Sequence, residues 1–191
     1  MNAMITPPLP VPAGPPSPYS SPSFKSNVES HTLSVLVDNE PGVLARVVGL
    51  FSGRGYNIES LTVAEVAHAE HLSRITIVTK GAPETIDQIQ HQLERLVPVH
   101  KVTDLTLADK FIERELAMIK VSGTGEHRSE ALRLSEAFRA RVIDATITSF
   151  VFELTGKPAK IDDFVELMRP IGLVEVSRTG VAAISRGPER M

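Results

Sequence analysis

Apolar residues recur along this chain with two alternating periods, and their order predicts the fold. His31 to Asp38 (HTLSVLVD) reads as a strand. The turn Asn39-Glu40-Pro41-Gly42 follows. Leu44, Val47, Val48 and Phe51 then return at helical spacing, with Gly53 and Gly55 as the stop. YNIESLTVAEV (56–66) and HLSRITIVT (71–79) predict two strands around a loop at about 67–71. Pro83 introduces a helix with Ile86, Ile89, Leu93 and Leu96 along one side, and Val99 to Leu105 is a closing strand. The order is β-α-β-β-α-β in about 75 residues.

The second half repeats it. LAMIKVS (116–122) is a strand; 127–138 is a helix with Ala131, Leu134, Ser135 and Phe138 in line; RVIDATI and SFVFELT, the latter starting at Ser149, are two strands. Lys160 to Met168 carries Ile161, Phe164, Val165 and Met168 as a second helix, before a strand at 173–178. The expected class is α/β (α+β): two ferredoxin-like units, each a mainly antiparallel four-stranded sheet with helices on one face. The expected boundaries are a tail at 1–28, a first domain at 29–105, a connector at 106–114 and a second domain at 115–187. The uncovered sheet faces are expected to carry apolar side chains, Ile75 and Ile77 or Phe150 and Phe152 according to register. Another chain or domain would then have to cover them.

Composition changes this picture at one end. Of 14 prolines among 191 residues, eight (7, 8, 10, 12, 15, 16, 18 and 22) fall in the first 22 positions, so the Pro/Ser-rich tail is expected to be disordered. It has neither the basic start and apolar run of a secretory signal nor the arginines of a transit segment, and a cytoplasmic location is expected. Cys 0 excludes disulfides and thiolate chemistry. No apolar run of 18 residues is present to span a bilayer as a helix. Twenty Lys+Arg against 23 Asp+Glu, with Trp 0, argue against nucleic-acid binding. The RNA-recognition modules that share this strand order need aromatics on their central strands, and the first unit has none between Glu59 and Lys80.

Catalytic chemistry is hard to find. His68 and His71, near Glu65 and Glu70, are close in sequence but lack a ligand motif. SGTGEHRS (122–129) is a strand-to-helix turn whose amides could hold an anion, though glycines that merely turn the chain explain it better. Arg178, Thr179 and Gly180 form a polar turn or an interface. No nucleophile elbow, phosphate loop or acid–base–nucleophile set emerges, so no catalytic residue is assigned. The most informative segment is DNEPGVL (38–44). Asn39 and Gly42 at a helix start leave free amides for an amino-acid carboxylate, and Asn57 in GRGYNI is a second polar group. On these grounds alone a helix cap with a tight turn is the stronger explanation, because Asx and Gly residues do that job everywhere.

HTLSVLVDNEPGVLARVVGLFSGRGYNIESLTV with LSRITIV closely resembles the N-terminal ACT domain of the small, regulatory subunit of acetolactate synthase (acetohydroxyacid synthase). The resemblance runs on through QIQHQLERLVPVHKV, ERELAMIKV and VEVSRTGVAAISRG, from 31 to about 187. It implies a subunit without an active site of its own, binding no cofactor. Its implied partner is the large catalytic subunit, whose thiamine diphosphate, Mg2+ and FAD serve to join pyruvate to pyruvate or 2-oxobutyrate in valine, leucine and isoleucine synthesis. The small subunit would raise that activity and confer feedback inhibition by branched-chain amino acids, chiefly valine. The resemblance further implies a homodimer through the ACT domains, with effector contacts at Asn39, Gly42, Val43, Leu44 and Ala45 of one protomer and Asn57 and Ile58 of the other. Ala64 is implied as a nearby feedback-sensitive position. An ACT-type sensor for a different enzyme or a transcription factor is the alternative.

Overall fold

A computed structural model describes residues 28–107 and 111–188. The tail expected at 1–28 lies, apart from Val28, outside the described residues. The first domain runs β1 (Glu29–Asp38), α1 (Val43–Gly53), β2 (Ser60–Ala67), β3 (Leu72–Gly81), α2 (Pro83–Glu94) and β4 (Val99–Asp104), with one turn of 3-10 helix at His68–Glu70. Its antiparallel sheet has the order β2-β3-β1-β4.

Register decides which side chains meet. Leu33 lies opposite Ile77 and Val35 opposite Ile75, so all four share one face. They pack against Val47 and Phe51 of α1 and Ile86, Ile89 and Leu93 of α2. The expectation that Ile75 and Ile77, or Phe150 and Phe152, line an open face is therefore corrected: all four are buried in the helix-covered cores. The alternate positions of the first sheet are Thr32, Ser34, Thr62, Arg74 and Thr76, so the uncovered face is largely polar. The expected helix face also shifts by one residue. Val43, Val47 and Phe51 are buried, whereas Leu44 is 40% exposed. At about 100° per residue, a stripe beginning at Val43 turns Leu44 away from the core.

The second domain comprises β5 (Phe111–Ser122), α3 (Glu126–Phe138), β6 (Arg141–Ala145), β7 (Ser149–Gly156), α4 (Pro158–Gly172), β8 (Leu173–Arg178) and β9 (Ala182–Ser185). Its sheet order is β6-β7-β5-β8. Ala117, Ile119 and Val121 pack with Phe150, Phe152 and Leu154 beneath Leu134 of α3 and Phe164 and Met168 of α4. α4 continues past the expected Met168 because Ile171 is buried, and Pro170 falls in its last turn.

The expected connector at 106–114 is not all connector. Residues 111–114 already belong to β5, and Phe111 to Arg114 pair with Ser185 to Ala182 of β9. This two-stranded ribbon lies on the uncovered face of the first sheet, where Leu105, Val181 and Ala183 are buried together against Val78 and Phe111. Gly180 brings the chain there with φ +82. A β-carbon at that position would stand 2.8 Å from Ser60 Oγ and 2.9 Å from Thr62 Oγ1. Part of the cover expected from another chain is thus supplied by this one.

Candidate functional site

The turn before α1 is pinned on both sides: the Asp38 amide donates to the Pro98 carbonyl (2.9 Å) and the Asn39 amide to the His71 carbonyl (2.7 Å). The Asp38 carboxylate is also held by His100 Nε2 at 2.6 Å. Gly42 then opens the helix with φ +87, a left-handed conformation, and nothing stands within 4 Å of where its β-carbon would be. Its carbonyl accepts from the Arg46 amide at 3.1 Å, and the Val43 amide turns back to the Glu40 carbonyl at 3.4 Å. The amides of Leu44 and Ala45 are left without backbone acceptors, no side chain caps the helix, and no acidic residue lies in its first turn. Free N–H donors at the positive end of the helix dipole suit a carboxylate. Of the five expected residues, Val43 is placed differently from the rest, since its side chain is in the core and its amide is committed to the turn. Asn39, Gly42, Leu44 and Ala45 are exposed.

At the other end of α1 the chain stops by a Schellman motif. Tyr56 N–H reaches the Phe51 carbonyl (3.0 Å), Gly55 N–H reaches that of Ser52 (3.3 Å), and the Tyr56 and Phe51 rings meet edge-on at 6.2 Å. This fixes Asn57. Its carbonyl accepts from Thr79 Oγ1 (2.7 Å) and its Nδ2 donates to Glu59 Oε1 (2.8 Å), while the half-buried Ile58 leans on the core. Asn39 is tied beside the start of β3 and Asn57 beside its end. Leu72 and Thr79 are seven positions apart along the strand, about 24 Å at the usual rise. One chain cannot bring the two groups onto one small ligand. Ala64 lies opposite Arg74 on the uncovered side of the sheet, in the edge strand β2.

The other sequence candidates come out plainly. His68 Nδ1 lies 2.6 Å from Glu65 Oε1 on an exposed turn, and among the described residues no group of three or more His, Asp or Glu could hold a metal. At SGTGEHRS, Gly125 starts α3 and Glu126 occupies its first turn, where a carboxylate would repel an anion.

Sequence reasoning left the role of Arg178 open. Its guanidinium grips Glu115 through Nε (2.8 Å) and Nη2 (2.6 Å) and Asp162 through Nη1 (2.6 Å). Its pKa is raised above the ordinary arginine value, first by the hydrogen bond to Glu115, against a desolvation cost. These residues line a cleft of about 860 Å³ between the domains that contains neither the Asn39–Ala45 turn nor Asn57. The only local signal in the sequence was the Arg-Thr-Gly turn, which names no partner.

Comparison with known proteins follows the same two-domain division. The family description "AHAS small subunit-like ACT domain" matches residues 33–101, and "Small subunit of acetolactate synthase" matches residues 114–187. The probable acetolactate synthase small subunit of Archaeoglobus fulgidus is 45% identical over 160 residues, covering 84% of this chain and 99% of that protein. The acetolactate synthase isozyme 3 small subunit of Escherichia coli is 44% identical over 160 residues, covering 83% and 97%. The crystal structure of the acetolactate synthase small subunit from Thermotoga maritima superposes with a TM-score of 0.75 at 40% identity, covering 84% of this chain and 99% of that one. With both domains matched in order and nearly the whole length of these relatives covered, the chain belongs to the acetolactate synthase small-subunit family.

Proposed function

We propose that this chain is the regulatory subunit of acetolactate synthase, which activates the catalytic subunit and makes it subject to feedback inhibition by branched-chain amino acids, chiefly valine. The thiamine diphosphate, Mg2+ and FAD of the reaction belong to the catalytic subunit. The observation that carries the effector reading is the division of polar groups: free amides after Asn39 at one end of α1 and Asn57 at the other, anchored to strand positions about 24 Å apart. Antiparallel pairing of two β2 edges across a two-fold axis sets the start of one β2 beside the end of its partner. The Asn57 of one protomer then stands by the Asn39–Ala45 turn of the other.

Valine's carboxylate meets the amides of Leu44 and Ala45, its ammonium meets the Asn oxygens, and its isopropyl group rests against Leu44 and Ile58. Burying that group contributes about 1.5 to 3 kcal/mol, so the oriented polar contacts carry much of the selectivity. Regulation requires valine to bind one arrangement of the dimer better than another, with that preference passed to the catalytic subunit. The test is titration of the purified chain into the catalytic subunit with and without valine. A rise in pyruvate condensation that valine removes is expected. No rise at concentrations that assemble the complex would overturn the reading.

A further inference from the structure

A second ligand site is suggested by the groove between the β5–β9 ribbon and the uncovered face of the first sheet. Its cavity is about 380 Å³, within the ordinary range for small-ligand clefts. The floor is Thr62, Ala64 and Arg74, and the facing wall carries Ile112, Arg114 and Ile184. Ile112 and Ile184 are partners in the ribbon ladder and stay largely exposed, so the groove has an apolar lip.

The polar groups in it are unbalanced. Arg74 Nε and Thr62 Oγ1 are both buried, and neither has a hydrogen-bond partner. Among the described residues Arg74 makes no ion pair, and the Arg114 guanidinium reaches only the Glu113 carbonyl, at 2.7 Å. No Asp or Glu lines the groove. Two guanidinium groups beside apolar surface, with no carboxylate to satisfy them, call for an anion with a hydrocarbon body.

We infer that this groove binds a short aliphatic carboxylate without an ammonium group, such as a branched 2-oxo acid of five or six carbons. The carboxylate pairs with Arg74 and Arg114, a neighbouring keto oxygen accepts from the Thr62 hydroxyl, and the alkyl tail lies along Ala64, Ile112 and Ile184. A zwitterionic amino acid is disfavoured, because its ammonium would stand near two like charges with no carboxylate to meet it. The groove is therefore chemically distinct from the Asn39–Ala45 turn, and it exists within a single chain.

Calorimetric titration of the full chain with 3-methyl-2-oxobutanoate, and in parallel with isobutylamine, tests this. Saturable binding of the acid and none of the amine are expected. Arg74→Gln, which keeps hydrogen-bonding capacity without charge, and Ala182→Leu, which fills the groove from the exposed ribbon strand, should each weaken binding at least tenfold, while Gly42→Asp leaves it unchanged. Chemical-shift mapping on the wild-type chain needs no variant: resonances of Ala64, Ile112 and Ala182 should move and those of Leu44 and Ala45 should not. Absence of saturable binding, shifts confined to the helix turn, or loss of binding in Gly42→Asp would overturn the assignment. So would loss of binding once the catalytic subunit is added, since the groove would then be a protein contact.

Discussion

The Val181 amide donates to Ser60 Oγ at 2.9 Å, joining residues 121 positions apart in sequence and tying the C-terminal strand to the edge strand of the first domain. Gly180, next to it, lies too close to that strand to carry a side chain without displacement. β2 follows Asn57 and Ile58, so the strand at the proposed dimer edge is also the one gripped by the second domain's last strand.

Gly180→Ala should therefore cost about 1–3 kcal/mol of stability, from left-handed strain together with overlap on Ser60 and Thr62. Gly187→Ala is the control. It has φ +104 but nothing within 4 Å of the added carbon, so it should lose only the strain. Urea unfolding of both variants measures the difference. Equal losses would mean that the contact with β2 contributes nothing.

Arg178→Met leaves the Glu115 side chain, only 5% exposed, without its bidentate partner. Breaking a buried pair from one side costs several kcal/mol, but Arg178 is itself one-third exposed, so about 1–3 kcal/mol is expected. The double variant Arg178→Met with Glu115→Leu should recover part of the loss, because no buried carboxylate is then left unpaired and Asp162, which also loses Arg178, is exposed to water. In the wild type the raised arginine pKa means that this stabilisation is present below the ordinary arginine value. It is lost only as pH rises through the still higher folded value, so it holds across the neutral range.

Gly42→Asp should abolish valine inhibition while leaving stimulation of the catalytic subunit intact. The space beside Gly42 is open, and Asp tolerates left-handed backbone better than most residues, so the fold survives while a carboxylate occupies the anion position. Asn57→Ala should also weaken valine binding. A mixed dimer of the two variants holds one intact site and one doubly altered site. Valine binding by co-expressed, purified mixed dimers, absent from either parent dimer, is the expected result; no recovery would place both groups in separate sites.

His68 should titrate above the ordinary imidazole value of 6.5, because the Glu65 carboxylate accepts its hydrogen bond and attracts its charge. The sign follows from the raised folded value: any stabilisation is fully present below 6.5 and is lost as pH rises from there through the higher folded value. NMR titration of the ring should show the midpoint falling toward 6.5 in Glu65→Gln.

Both βαββαβ units were legible because each has one long, strongly periodic set of apolar positions, from Leu33, Val35 and Val37 in β1 to Ile161, Phe164 and Met168 in α4. Sheet faces were less legible. Ile75 and Ile77 alternate correctly, but alternation alone does not say which parity meets the helices, and register against Leu33 and Val35 decides it. Leu44 and Val43 both satisfy a helical repeat, and only packing chooses between them. β9 was invisible because four residues, Ala-Ala-Ile-Ser, carry too little pattern, and the connector was misjudged because β9 is what makes 111–114 a strand. The turn at Asn39–Gly42 was readable as chemistry. The distance between it and Asn57 was not, since it depends on the length of β3.

Because β5 pairs with β9 in its first third and with β7 and β8 in the rest, the ribbon over the first sheet cannot form until residue 185 has left the ribosome. The first domain has its helix-side core as soon as residue 104 emerges, but Val78 and Leu105 wait for the last strand of the chain. Synthesis thus passes through an interval in which a folded N-terminal half carries an unfinished face, and that interval closes with contacts such as Val181 to Ser60, 121 positions apart in sequence.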